Sequence, residues 1–302
     1  MSKQASIEQS TGEIYGVNVF NGKRNYVRFH TGEDNSGLVF RVKNEEFPAS
    51  LDKSFEYKPA WAFYLAGCIS VRGRDQRADH VEHLLADVGS AGIDNLVIEL
   101  SDGVCPRFDY DNSEVFEILT SIRKEGSSDR VYLKVNGDLS NKERNVKDEK
   151  RRDGLHVEPA KYFFIDYTAG FPHNAVGEQH HRFNVSEINY REEVMQARPI
   201  FFMPPIPEGI LRRFIQPWFG ITDSNALLIG GKEETRYRNK VHPEGLYGRD
   251  EFVRHKVQDV LGTLALLGKP FKESGFFFYK TGHDFDLHAL RTLRDRGCFV
   301  DA

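Results

Sequence analysis

Apolar and polar positions alternate in short runs over the first seventy residues. Tyr26-Val27-Arg28-Phe29 and Leu38-Val39-Phe40-Arg41-Val42 are set apart by Gly, Asn and Asp, the pattern of half-buried strands joined by turns. The period changes near Asp79. Val81, Leu84, Leu85 and Val88 fall on one helical face, the run stops between Gly89 and Gly92, and Asn95 to Leu100 reads as a strand. Ser113 to Lys124 predicts a second helix that buries Val115, Phe116, Leu119 and Ile122. The mostly apolar stretch Ala60 to Val71 is far shorter than the roughly 20 residues of a membrane-spanning helix and contains Gly67 and Ser70, so it reads as paired strands.

The second half repeats this order. Tyr162 to Tyr167 and Ala226 to Ile229 read as strands, followed by a helix from Glu251 to Leu267, a strand Phe276 to Tyr279 and a final helix. Phe252, Val253, Val257, Val260, Leu261, Leu264 and Leu267 form the inner side of the long helix, and Gly268 and Pro270 end it. Between the halves, 136–155 is rich in charge and almost free of large apolar residues, which predicts a solvated linker or loop. The expected organisation is α+β, with a domain over 1–135 and another over 156–302.

A length of 302 residues agrees with two cores rather than one. The formal net charge of −4 gives no general attraction to phosphate backbones, so nucleic acid is not an expected partner. Cys68, Cys105 and Cys298 are too few and scattered for a disulfide framework and read as reduced, buried thiols. Met1 to Glu13 is polar, without the basic-then-apolar order of a secretory signal, and the expected location is cytoplasmic.

Candidate chemistry lies on the two amphipathic helices. His255 and Asp259 are four apart, which stacks an imidazole and a carboxylate on one face. His80-Val81-Glu82-His83 opens the first helix and sets a Glu beside a His at the edge of an apolar face. Alone, each pair is also what an ordinary helical ion pair or a cap looks like. Together His83, His255 and Asp259 make the three-ligand set typical of catalytic zinc, with iron(II) suited to the same donors. A divalent ion at such a set acidifies water and polarises a carbonyl, and Glu82 is placed in sequence to take the proton. Thr281-Gly282-His283 sets a histidine on a short turn before the last helix, where it can protonate a leaving amine. The expected activity is hydrolysis of an amide in a small N-acyl substrate.

At these residues the chain resembles the UDP-3-O-acyl-N-acetylglucosamine deacetylases, the LpxC family, of lipid A synthesis. The resemblance is carried by HVEHLLADVGSAGIDN from His80, DEFVRHKVQDVLGTLALLGKP from Asp250 and KTGHDFDLHAL from Lys280, with weaker similarity over Thr11 to Val42 and Phe164 to Phe202. It implies two domains of similar layered β-sheet and helix topology with the active site at their interface. It also implies zinc on His83, His255 and Asp259, Glu82 as general base, His283 as general acid, and Lys256 as a cationic contact for substrate or oxyanion.

The chain departs from the family pattern at three places. Pro199-Ile200 follows Ala197-Arg198 where the family has Thr-Phe, and proline offers neither hydroxyl nor N–H. Thr263 stands where a family Asp orients the acid histidine, which predicts a lower pKa for His283 unless Asp284 or Asp286 compensates. Gly16-Val17-Asn18 replaces a Gly-Leu-His. The substrate-facing shell therefore differs more than the metal set. Three functions fit: a zinc-dependent deacylase of an N-acyl amine such as an N-acetylated sugar, a UDP-3-O-acyl-N-acetylglucosamine deacetylase, and a non-catalytic, metal-containing ligand-binding protein. His173, His180 and His181 read as surface histidines, and His80 as a neighbour of the ligand set.

Overall fold

In the computed structural model, the residues described are 2–59, 67–108, 113–150, 152–171, 176–202, 220, 225–229 and 246–302. The chain is α+β and is built on one topology used twice. In the first half, Ile14–Val17 and Arg24–Thr31 form an antiparallel hairpin, and Leu38–Val42 and Glu45–Pro48 form another. Leu96–Leu100 enters last between them, antiparallel to Arg24–Thr31 and parallel to Leu38–Val42. In the second half the hairpins are Asn145–Asp148 with Asp153–Pro159 and Phe164–Gly170 with Glu178–Asn184. Ser274–Tyr279 enters between them with the same two orientations.

A helix precedes and follows each late strand. Helix α1 (Glu82–Ser90) and α2 (Ser113–Ser121) flank the first, and α3 (Glu251–Ala265) and α4 (His283–Asp295) flank the second. The apolar stripes read from the sequence are the buried faces: Val81 at the cap with Leu84, Leu85 and Val88 on α1, and Phe252, Val253, Val257, Val260, Leu261 and Leu264 on α3, which ends at Ala265 before the half-buried Leu267. Each such side chain stabilises the fold by about 1.5–3 kcal/mol when fully buried. Most buried apolar residues of both halves belong to one continuous cluster, because α1 and α3 pack directly on one another, while Phe252 joins Leu227 and Ile229 in a smaller one.

The structure departs from the expected elements in three places. Helix α2 ends at Ser121, and Arg123–Asp129 leaves it as a strand paired with Lys3–Ile7; its sequence RKEGSSD has no apolar alternation, so backbone pairing alone defines it. The charged run 136–155 is not irregular throughout. It holds Asn145–Asp148 and the start of Asp153–Pro159, an edge hairpin that buries Val146 and Leu155 and exposes Lys147. The strand expected from Tyr162 begins at Phe164, with Tyr162 exposed. Of the stretch Ala60 to Val71, residues 60–66 lie outside the described part; Cys68–Arg72 is a strand between Ser54–Tyr57 and Arg77–Asp79. Cys68, Cys105 and Cys298 are free and buried. Among the described residues no helix is long and apolar enough to cross a membrane.

Candidate metal centre and active site

The first turn of α1 meets the middle of α3 at unusually short range. At Gly262, a Cβ would lie 1.8 Å from the carbonyl oxygen of Glu82, so only glycine lets the backbones approach this closely. The approach brings Glu82 and His83 over His255 and Asp259. Asp87 on α1 accepts from the Tyr190 hydroxyl (2.5 Å), which in turn accepts from Gln258 on α3 (3.1 Å), a buried link that ties the two helices one turn further on.

One nitrogen or oxygen each from His83, His255 and Asp259 lies within 4.8 Å of the other two, and the same holds for Glu82, Asp259 and His283. Asp259 is the shared member. Its Oδ1 is 2.9 Å from His83 Nε2 and 3.6 Å from His255 Nε2, and its Oδ2 is 2.7 Å from Lys256 Nζ and 3.9 Å from His283 Nε2. All but Lys256 are buried. Burial alone would raise the Asp259 carboxyl, yet Lys256 and His255 outweigh it and hold the pKa well below the ordinary range. Burial pushes His83 down to about 3 and lowers His255, so both rings are neutral near pH 7 with lone pairs available. An ionised carboxylate between two neutral imidazoles is the donor chemistry that a divalent zinc or iron ion requires, so these residues fit such an ion.

Further groups hold the ligands. His255 Nδ1 lies 3.2 Å from the Ala197 carbonyl; donating to it fixes the tautomer and leaves Nε2 facing Asp259. The Ala197 segment is itself anchored, because Arg198 donates through Nε and Nη2 to Glu251 at 2.8 and 3.0 Å, both side chains buried. Glu82 Oε2 accepts from the Ile69 N–H at 3.0 Å, and burial together with Asp259 raises its pKa to about 8.

Arg107 had no signal in the sequence, since it lies in a segment without period, yet its buried guanidinium donates to His80 Nε2 at 3.0 Å and to His83 Nδ1 at 3.3 Å. Arginine can only donate, so His83 accepts at Nδ1 and directs its N–H at Asp259. For Nε2 to face a cation, the proton must move to Nδ1 and Arg107 must turn away. His80 sits edge-on to His83 with ring centres 5.2 Å apart and adopts φ of 63°.

At the departures from the family pattern, Thr263 Oγ1 donates to the Asp259 backbone carbonyl at 2.8 Å. His283 Nδ1 is buried with no hydrogen-bond partner among the described residues. Burial and then Lys256 lower the His283 pKa to about 3. Asp286, buried on α4 with its own pKa raised to about 7 by burial, does not offset this. Pro199 uses its carbonyl to accept from the Leu227 N–H at 2.8 Å. Asn18 donates to Asp102 at 2.7 Å. His180 and His181 lie outside the cluster, on Asp166 (2.7 Å) and on Glu193 and Asp250 (both 3.1 Å); His173 is outside the described residues.

Comparison with known proteins agrees with the resemblance read from the sequence. The family model described as LpxC: UDP-3-O-acyl N-acetylglycosamine deacetylase matches residues 4–295. A protein of Nitratiruptor sp. named UDP-3-O-acyl-N-acetylglucosamine deacetylase is 30% identical over 274 residues, 89% of this chain and 83% of that one. One of the same name from Brucella ovis is 31% identical over 282 residues (93% and 91%), and one from Thermodesulfovibrio yellowstonii is 27% identical over 288 residues (95% and 90%).

Proposed function

Because the chain belongs to the UDP-3-O-acyl N-acetylglycosamine deacetylase family, and so is an amide-hydrolysing deacetylase, we propose that it removes the acetyl group of UDP-3-O-acyl-N-acetylglucosamine in a zinc-dependent reaction. The observation that carries this reading is the convergence of Glu82, His83, His255, Asp259 and His283 from α1, α3 and α4 on one buried locus. In this reading His83, His255 and Asp259 hold the ion. When bound, it would polarise the amide carbonyl and acidify the attacking water.

Glu82 takes the proton of that water. With its pKa near 8 it needs a cation beside it to be ionised at neutral pH, which is what the neighbouring ligand set would provide. His283 carries that proton to the amine nitrogen as the C–N bond breaks, which requires the negative charge developing on the substrate oxygen to lift its pKa from the resting value of about 3 set by burial and Lys256. Lys256 holds Asp259 ionised and presents a positive charge to the developing oxyanion, a role that gains weight because Pro199 supplies no donor.

The shell around Pro199 and Thr263 also favours a second reading, an N-acyl amine other than the UDP-sugar, turned over by the same groups. The experiment is metal analysis of the purified protein followed by assay against UDP-3-O-acyl-N-acetylglucosamine and a panel of N-acetylated amines, comparing the parent with Glu82→Gln. The variant should keep its metal and lose about 10²–10⁴ in rate. Turnover confined to simpler amines selects the second reading. Retained metal with no substrate that distinguishes the two proteins selects a non-catalytic binding protein.

A further inference from the structure

Helices α1 and α3 carry the ligand set at one end of their contact and a cavity at the other. Seven residues separate Glu82 from Gly89, about 10 Å along the helix axis. There the halves part and enclose a cavity of about 440 Å³, within the roughly 300–1,000 Å³ usual for small-molecule sites. Its walls are apolar and come from both halves, with Leu38 and Ile93 facing Phe163, Leu264 and Phe271. None of the groups on the catalytic locus lines it.

The mouth is cationic. Of the basic residues there, Arg130 is engaged by Asp94 and Lys269 by Asp301. Lys161 and Lys272 have no carboxylate within 4.0 Å among the described residues; each lies over a tyrosine ring instead, Tyr162 at 5.1 Å and Tyr132 at 5.3 Å. The acidic lining residues are the paired Asp94 and the exposed Glu273, so the uncompensated charge is positive. Exposed Tyr162 marks the entrance.

We propose that this inter-half cavity is a binding site for a single-chain amphiphile with an anionic head, the alkyl chain lying between the halves and the head at Lys161 and Lys272. An apolar slot alone would take any hydrocarbon, whereas two lysines without acidic partners select a negative head group. Gly89 forms part of the floor. Only Ala265 Cβ, at 3.8 Å, comes near the position of an added Cβ, so a larger side chain fits there and fills the slot.

The test is calorimetric titration of the full chain with octanoate, decanoate and decan-1-ol, each below its micelle concentration. Decanoate should bind about tenfold more tightly than octanoate, since each buried methylene contributes about threefold to fourfold. Lys161→Glu combined with Lys272→Glu should weaken decanoate about tenfold and leave decan-1-ol unchanged. Gly89→Leu should abolish binding of both while keeping the parent's circular dichroism. Absence of decanoate binding to the parent, equal binding by Gly89→Leu, or indifference of decanoate to the charge reversal would each overturn the proposal. The charge-reversed protein changes only the exposed Lys161 and the half-buried Lys272 at the mouth, so the test stands even if Gly89→Leu folds poorly.

Discussion

Gly262 leaves no room for a side chain against the carbonyl of Glu82, so the backbone of one half fixes where the other half's candidate base and metal ligand stand. Neither residue can be understood from its own helix. A glycine inside α3 costs about 1 kcal/mol of helix propensity, and the close helix contact offsets that cost.

Gly262→Ala should therefore act at a distance from its own chemistry. With a methyl carbon 1.8 Å from an oxygen, α3 must retreat from α1, at a cost of about 1–3 kcal/mol. Expected are a lower melting temperature and poor metal retention in the same protein. A variant as stable as the parent and fully metal-loaded would show that the helices can separate without disturbing the ligands.

Arg107 offers a donor to a ring nitrogen that must itself donate once His83 binds an ion. Gln at this position can present its carbonyl oxygen to Nδ1–H. Arg107→Gln should tighten zinc binding by about tenfold, the lower end of what outer partners of metal-bound histidines contribute. Competition with a chromogenic chelator measures this directly, and weaker binding would assign Arg107 a supporting part instead.

Thr263→Asp would place a carboxylate where the family pattern has one. Its charge favours the imidazolium, so the His283 ring should titrate about one pH unit higher, read from the NMR shifts of its ring protons, and the buried carboxylate should lower stability. An unmoved titration would show that position 263 does not act on His283.

Asp34 makes a pH-dependent contribution to stability. It accepts from Ser127 N, Ser127 Oγ and Ser128 N, and the hydrogen bonds led by the Ser127 hydroxyl lower its pKa to about 2. A depressed carboxylate pKa contributes stability that is present above the unfolded value near 3.8 and is lost as pH falls through about 2. Asp34→Asn should be less stable than the parent near pH 5, and the difference should fade between roughly pH 4 and pH 2. A constant difference across that range would point to lost hydrogen-bond geometry rather than lost charge.

Much of this centre can be read from letters alone. Glu82-His83 and His255-x-x-x-Asp259 sit on strongly periodic helices, and a period of 3.6 says which residues share a face. What period cannot show is a contact between helices far apart in sequence. Gly262 looks like a mild defect in α3 until α1 is laid against it, and Arg107 lies where no pattern places a side chain. Asn145–Asp148 escapes notice for a different reason: a four-residue edge strand with a single buried apolar side chain, Val146, is too short to show alternation.

The order in which strands join each sheet also has a consequence for how the protein comes into being. In the first sheet Phe29 meets Ile98, so that layer can close soon after its last strand is synthesised. In the second, Leu155 must wait for Phe278, near the end of the chain, before its neighbour exists. During translation the second sheet therefore lacks its central strand until Ser274–Tyr279 has been made, whereas the first has all five strands by Leu100. Truncations that remove Ser274–Tyr279 should leave the later half without its spine and the earlier half as the part that still folds.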